Sequence, residues 1–511
     1  MKVNSSQDIS LFHGYPFPES EGFLAGYSAL VAKHRLTIPL PEKLSFISTY
    51  HRKYETDYWK IFTPRYKPDD SLADHLTFAL RYEGIDLSIL SSLFEIINPI
   101  EIEEWVKREP SGQYSRRIWF LYEWLTKKEL ELPLVKSGNF VDIVDTKQQY
   151  PGSIKYVKRQ RVRNNLPGVL NFCPLIRRTS KLETFIKQGL KYKAQETIKE
   201  IHPDVISRAA AFLMLQDSRA SFTIEGETPS HSRAERWGKV LMQAGLFPLT
   251  MEELLRLQQI VIEDKRFVTL GLRKQGGFIG THDRLTGMPL PDHISAKWQD
   301  LEQIMKGFFE TYKTLKSSNL DPVLQAAILS FGFVFIHPFE DGNGRLHRYL
   351  MHHILAEQGF SPPQLIFPVS AVILERLNDY KLILELYSKP RLDLIEWKPT
   401  EKGNVEVINN TLSLYSYFDA TRQAEFLYEC VFETIHNLLP KEIKYLERYD
   451  QMKNFIINHF EMPNHLIDLL VRFLQQNKGR LSKRAKETEF KMLTEKECLF
   501  IENKFSSIFE V

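Results

Sequence analysis

Hydrophobic positions recur at helical spacing along most of this chain. In residues 203–224, Val205, Ile206, Ala209, Ala210, Leu213 and Leu215 build one broad apolar face. Pro203 stands at the start of that stretch, where a missing backbone donor does no harm. Residues 71–82 and 85–97 predict two further helices, with Gly84 between them as a stop. The pattern continues through 101–107, 116–130, 251–264, 298–315, 322–336 and 349–358, then through 409–439, 442–460 and 463–479. Two places break it. Alternation at Phe140, Asp142 and Val144, followed by Tyr150-Pro151-Gly152, predicts a short strand or extended loop. Gly276-Gly277 before alternating side chains, with Thr286-Gly287 beyond, predicts a β-hairpin. The first sixty residues carry aromatics such as Phe12, Tyr15, Phe17, Tyr54 and Trp59 without a period. They predict irregular structure with short helices, packed against something else and forming no core of their own.

Composition narrows the class. A chain of 511 residues exceeds one ordinary core, so two or three domains are expected. At 43% hydrophobic and 26% charged residues it reads as a soluble globular protein. A net charge of +3 gives no whole-molecule attraction to nucleic acid. Cys173, Cys430 and Cys498 lie far apart without metal-ligand spacing, which points to a reducing compartment. No apolar leader core follows Met1, and the apolar run 326–336 is short of the ~20 residues a membrane span needs. The expected location is the cytoplasm.

The densest chemistry lies at 336–348, between an apolar helix and a second helical segment. It reads Ile-His-Pro-Phe-Glu-Asp-Gly-Asn-Gly-Arg-Leu-His-Arg. His337 is a titratable base, Asp341 a carboxylate with metal-binding potential, and Gly342-Asn343-Gly344 offers backbone N–H groups at a helix start. Arg345 and Arg348, three apart, sit on neighbouring faces of one turn and add guanidinium forks for an anion. A base, a metal ligand and a phosphate cradle together point to phosphate-transfer chemistry. A second constellation ends the 203–224 helix: Ser221 and Glu225 share a face, and Gly226 suits a helix C-terminus. A carboxylate there opposes the helix dipole and calls for a compensating cation.

The 337–348 stretch resembles the signature of the Fic family, His-x-Phe-x-Asp/Glu-Gly-Asn-Gly-Arg-x-x-Arg, with every fixed position filled. The resemblance implies a mainly α fold: a helical core with a β-hairpin flap at 201–400, flanked by N-terminal (1–200) and C-terminal (401–511) helical domains. It implies transfer of AMP from ATP, with Mg²⁺, to a Tyr, Ser or Thr hydroxyl of a target protein. His337 would be the general base, Asp341 the magnesium ligand, and Gly342, Asn343 and Gly344 the phosphate nest, with the Asn343 side chain reaching the α-phosphate. Arg345 would meet the β-phosphate and Arg348 the γ-phosphate, Phe339 would fix the loop, and Tyr380 would border the adenine. Ser221, Glu225 and Gly226 fit the family's self-inhibitory motif placed before the core, implying that Glu225 pairs with Arg348. Phe278 and Ile279 on the flap would contact the target. On the same site, removal of AMP is the alternative reaction.

Two basic stretches support a rival reading, a nucleic-acid-binding regulator that senses nucleotides. One runs from Lys155 to Lys193 with Tyr156, Phe172 and Tyr192 interleaved; the other holds Lys478, Arg480, Lys483, Arg484 and Lys486 in a helix-turn-helix-like region. A solvated helical face explains both more simply. His347, His352 and His353 miss the i, i+4 spacing of helical zinc ligands as a set and read as core or surface histidines. Oligomeric state and target identity are not encoded in any pattern of this chain.

Overall fold

The computed structural model describes residues 2–4, 11–199, 201–264, 266–361 and 365–510. The expected boundary at 200 and most of the N-terminal segment read for a leader lie outside them.

The chain opens with a mixed five-stranded sheet of β1 (Lys2–Asn4), β2 (Glu21–Leu24), β3 (Leu44–Ser48), β4 (Tyr54–Glu55) and β5 (Trp59–Phe62), ordered β1-β2-β3-β5-β4. The β3/β5 pair is parallel, Leu44 opposite Trp59. This corrects the expectation of irregular structure there. β3 is buried at all five positions, so it shows no alternation, and the other strands of the sheet are two to four residues long. Helix α1 (Gly26–His34) joins β2 to β3. Behind the sheet stand α2 (Leu72–Tyr82), α3 (Leu87–Ile96), α4 (Pro99–Arg108) and α5 (Gln113–Thr126), close to the predicted helices. Tyr27, Phe46, Trp59, Trp105 and Trp119 share one apolar cluster, so this region has a core of its own. The predicted short strand is Val141–Asp142, paired in parallel with Val162–Asn164.

The central core is helical. It is built from α6 (Pro203–Ile224), α7 (His231–Leu241), α8 (Met251–Val261), α9 (Leu301–Lys316), α10 (Pro322–Ile336), α11 (Asn343–Glu357), α12 (Val369–Glu375) and α13 (Leu377–Leu392). α10 is buried from Val323 to Ile336 and forms its axis, which explains a sequence apolar all round. Gly332 admits the Phe172 ring: a Cβ there would meet Phe172 Cζ at 2.3 Å. Two hairpins stand at one end, β6 (Phe278–His282) with β7 (Pro289–Ile294), and β8 (Trp397–Pro399) with β9 (Val405–Val407). The second hairpin was not legible in the sequence. The same apolar cluster continues through Leu414 and α14 (Thr421–Glu433) to Ile435, so a boundary at 400 falls inside packed structure.

A separate small cluster unites α15 (Leu439–His459), α16 (Asn464–Gln476) and α17 (Glu495–Phe509) through Met452, Ile456, Leu470, Leu474, Ile501 and Phe505. Much of the expected basic surface is tied into ion pairs: Arg159–Glu123, Arg163–Asp142, Arg177–Asp419, Arg178–Glu183, Lys181–Glu429 and Lys486–Glu502. All three cysteines are buried and unpaired, and among the described residues no helix is long and apolar enough to cross a membrane.

Candidate active site

α10 stops at His337, whose backbone is left-handed (φ 53°), and α11 starts after Gly342, at φ 93°. The left-handed region suits Gly342 and is uncommon for a histidine. The intervening loop is pinned on three sides. Phe339 is fully buried, Arg273 N–H donates to the Pro338 carbonyl (3.0 Å), and Gln258 Nε2 donates to the Asp341 carbonyl (3.1 Å). Asn343 spends both ends of its amide on the loop itself, accepting from Phe339 N–H (3.0 Å) and donating to Phe339 O (2.8 Å). The expectation that its side chain reaches a phosphate is therefore corrected; its role there is to close the loop, and only its backbone remains for the nest.

His337 is partly buried, and its Nδ1–H donates to the Val334 carbonyl (3.3 Å), which leaves Nε2 as the acceptor nitrogen. Burial, and then the Arg273 charge, push its imidazole down to about 4. Arg273 is a residue that sequence reasoning missed. It is buried without a carboxylate partner among the described residues, and donates to the carbonyls of His337 (2.9 Å), Gln275 (2.9 Å) and Ala296. His337 opens onto a cavity of about 270 Å³ whose walls include Arg273, Phe278, His282, Lys402 and Asn404. Of the two flap residues singled out, Phe278 lines this cavity, while Ile279 is 45% exposed beside an irregularity in the β6/β7 register. The turn between β8 and β9 holds the end of β6 and the segment before it: Gly403 O meets His282 Nε2 (2.6 Å), and Asn404 Nδ2 donates to Gly276 O (2.8 Å).

The anion cradle adjoins it. Asp341 Oδ1 accepts from Gly342 N–H (2.5 Å) and from Arg345 Nη2 (2.9 Å), while its side chain is 48% exposed. No group of three or more His, Cys, Asp or Glu gathers among the described residues. A single half-exposed carboxylate beside a helix start and two arginines fits Mg²⁺, which takes one or two carboxylates and fills its shell with water and phosphate oxygens.

Arg348 is 1% exposed and held by the end of α6 through its Nε and Nη2. Its Nε donates to Ser221 Oγ (3.0 Å), and its Nη2 donates to Ser221 O (2.6 Å) and pairs with Glu225 Oε1 (2.8 Å). The contact expected between Glu225 and Arg348 is thus present. The Glu225 carboxylate also lies against the nest, since a Cβ at Gly344 would meet its Oε1 at 2.0 Å. Gly226 follows at φ 77°, as a helix-terminating turn requires. Beyond it Glu227, which the sequence reading passed over, pairs with Arg345 Nη1 at 2.6 Å. Its only signal was a second carboxylate two residues after the first. Tyr380 lies in the core, its ring 6.0 Å from that of His347 and 6.0 Å from that of Phe426. It packs helices together and borders Arg348 instead of facing an adenine, which corrects that expectation. Burial holds its phenol up at about 12.

One turn before Ser221, buried Asp217 accepts from Ser370 N–H (2.6 Å), Ser370 Oγ (2.9 Å) and His352 Nε2 (2.9 Å). It joins α6, α11 and the start of α12, and so seats the helix carrying Ser221 and Glu225. Asp217→Ala leaves those buried donors unpaired, and is expected to lower unfolding free energy by ~2–4 kcal/mol. Urea titration of the full chain checks this; a loss below ~0.5 kcal/mol would mean the cluster carries no stability.

Residues 248–355 match the sequence profile of the Fic/DOC family. The protein adenylyltransferase Fic of Nematostella vectensis is 39% identical over 79 residues, 16% of this chain and 18% of that protein. That of Drosophila melanogaster is 41% identical over 70 residues, 14% of each, and that of Drosophila yakuba 32% over 123 residues, 24% of this chain and 22% of that protein. The matched segments thus span under a quarter of these curated relatives. Among solved structures, a Fic family protein from Desulfovibrio desulfuricans G20 covers 65% of this chain and 85% of its own at 15% identity and TM-score 0.35. A Fic domain containing signaling protein from Bacteroides thetaiotaomicron VPI-5482 covers 51% and 97% at 21% identity and TM-score 0.35.

Proposed function

From the match of residues 248–355 to the Fic/DOC family profile, we propose that this chain transfers AMP from ATP to a hydroxyl of a target protein, at a site that it holds shut itself. The observation that carries the reading is the Glu225 carboxylate, which lies on Arg348 and against Gly344. A carboxylate held there marks a place built for an anion, and reports that a nucleotide phosphate must compete with it.

The chemistry follows from the residues around it. The target hydroxyl enters the cavity over His337 and gives its proton to Nε2, whose neutral form prevails at pH 7 because its pKa is near 4. The freed oxygen bonds to the α-phosphorus while the bond to the β-phosphate bridging oxygen breaks, and pyrophosphate leaves. The Gly342–Gly344 amides at the start of α11, with Arg345 and Arg348, bind and orient the phosphates. Asp341 would hold Mg²⁺, which when bound supplies positive charge against the phosphate oxygens. The flap residues Phe278 and Ile279, together with the turn at 400–404, position the target segment.

The test uses full-length Glu225→Gly in a cell lysate with ATP labelled at either the α- or the γ-phosphate, and Glu225→Gly/His337→Ala as the control. Protein labelling from α-labelled ATP, absent with γ-labelled ATP and lost in the control, is the expected result. Labelling from the γ position, or none from either, would overturn the reading. Release of AMP from the labelled proteins by the wild-type chain, lost in Glu225→Gly, would assign it the reverse reaction.

A further inference from the structure

Resting on that reading, we propose that Glu227 is a second determinant of which phosphate-bearing ligands the site accepts, acting on Arg345 independently of Glu225 on Arg348. Arg345 is 2% exposed and faces two carboxylates, Asp341 at 2.9 Å and Glu227 at 2.6 Å. Asp341 belongs to the loop. Glu227 arrives from outside the matched domain, on the turn after α6.

The turn explains how one short segment reaches two arginines. Glu225 closes α6 and meets Arg348; Gly226, at φ 77°, redirects the backbone, and Glu227 meets Arg345 one helical turn nearer the start of α11. Glu227 is itself fixed from behind. Its Oε2 accepts from Arg233 Nη1 (2.5 Å), and Arg233 Nη2 donates to the Val261 carbonyl (3.2 Å). Arg233 and Arg345 both lie over the ring of buried Phe222, at 4.5 and 5.3 Å. Glu227 therefore does not hang in solvent beside Arg345. It is the middle of an Arg233–Glu227–Arg345 chain built on a buried ring.

Two features make this contact a gate for anions and not a permanent brace. The contact with Arg345 Nη1 is close but poorly aligned for hydrogen bonding, and buried Arg345 Nε meets no acceptor among the described residues. Donors of a buried guanidinium left in that state favour an incoming anion with better geometry. The charge balance acts the other way. Arg233, Arg345 and Arg348 face Glu225, Glu227 and Asp341, with Glu263 a further 3.7 Å from Arg233, so the closed cradle offers a polyphosphate no net positive charge. Removing either glutamate takes one negative charge away from these arginines, and the resulting attraction grows with the charge of the ligand.

The experiment is calorimetric titration of the full chain, with Mg²⁺ present, by AMP, ADP and ATP. Wild type, Glu225→Gln, Glu227→Gln and the double variant are compared, with Glu227→Asp as a milder change and thermal melts to confirm folding. Glu227→Gln is expected to tighten ADP and ATP by roughly tenfold and AMP by less than about twofold, a contact intermediate between exposed and buried pairs. Glu227→Asp should fall between wild type and Glu227→Gln, and the two Gln effects should multiply in the double variant. If Glu225→Gln tightens ATP while Glu227→Gln changes nothing in either background, the second determinant is refuted and the nucleotide site stands. If no variant binds any of the three nucleotides, the proposed function fails, and this inference with it.

Discussion

Glu225→Gly is expected to raise the initial rate of AMP transfer roughly 30- to 150-fold at limiting ATP. The magnitude follows from the pair it breaks. Arg348 is 1% exposed, but Glu225 keeps 34% of its side chain in solvent, so the ~3–5 kcal/mol of a fully buried pair is reduced to about 2–3 kcal/mol. That is less than the ~5.5 kcal/mol needed to swing an equilibrium from 1:99 to 99:1, so wild type should retain measurable leakage. The sign is secured by Ser221. Its Oγ and carbonyl still hold Arg348 at 3.0 and 2.6 Å once the carboxylate is gone, so the guanidinium stays beside the cradle. Glycine at a helix C-terminus adds no strain of its own. Rates of self-labelling and of target labelling from α-labelled ATP, with ATP binding measured in parallel, check the prediction. Normal ATP binding with an unchanged rate would show that Glu225 does not restrain the reaction.

What was legible in the sequence was what a contiguous stretch encodes. The loop from His337 to Arg348 carries its chemistry in consecutive residues, and Ser221 and Glu225 lie one turn apart on a helix with a clear apolar face. Both sites therefore appear near where the periodicity puts them. What was illegible depends on contacts between distant segments. Arg273 reaches the His337 carbonyl across more than sixty residues, and only the folded chain shows it to be a buried cation without a counter-ion among the described residues. The β8/β9 turn closes on the flap across more than a hundred residues. The N-terminal sheet rests on a parallel pairing between short strands, one of them buried throughout. Asn343 and Tyr380 failed for a different reason. Each has a side chain suited to a ligand, yet the loop backbone claims the Asn343 amide, and the ring of Tyr380 serves core packing. A residue type states what a side chain can do, and its neighbours decide whether it is free to do it.

Loss of His337 should have the largest effect of all. In the Glu225→Gly background, His337→Ala is expected to lower AMP transfer by ~10²–10⁴-fold while ATP affinity changes little, because the imidazole faces the cavity side and, on the proposed reading, the phosphates would be bound by the arginines. The pH profile separates a base from a merely structural histidine. A pKa lowered to about 4 means that the neutral, proton-accepting form persists as pH falls from 8 toward 5, and is lost only as pH passes through about 4. The acid limb of kcat/KM, which reports the free enzyme, should therefore lie below pH 5 instead of near the ordinary histidine value of ~6.5. The limb of kcat should lie higher. Bound phosphates bring negative charge close to the imidazole, favour its protonated form and oppose the Arg273 effect. A kcat/KM limb between pH 6 and 7 in the Glu225→Gly background would remove the depressed imidazole from the mechanism. An undiminished rate in His337→Ala would remove the base altogether.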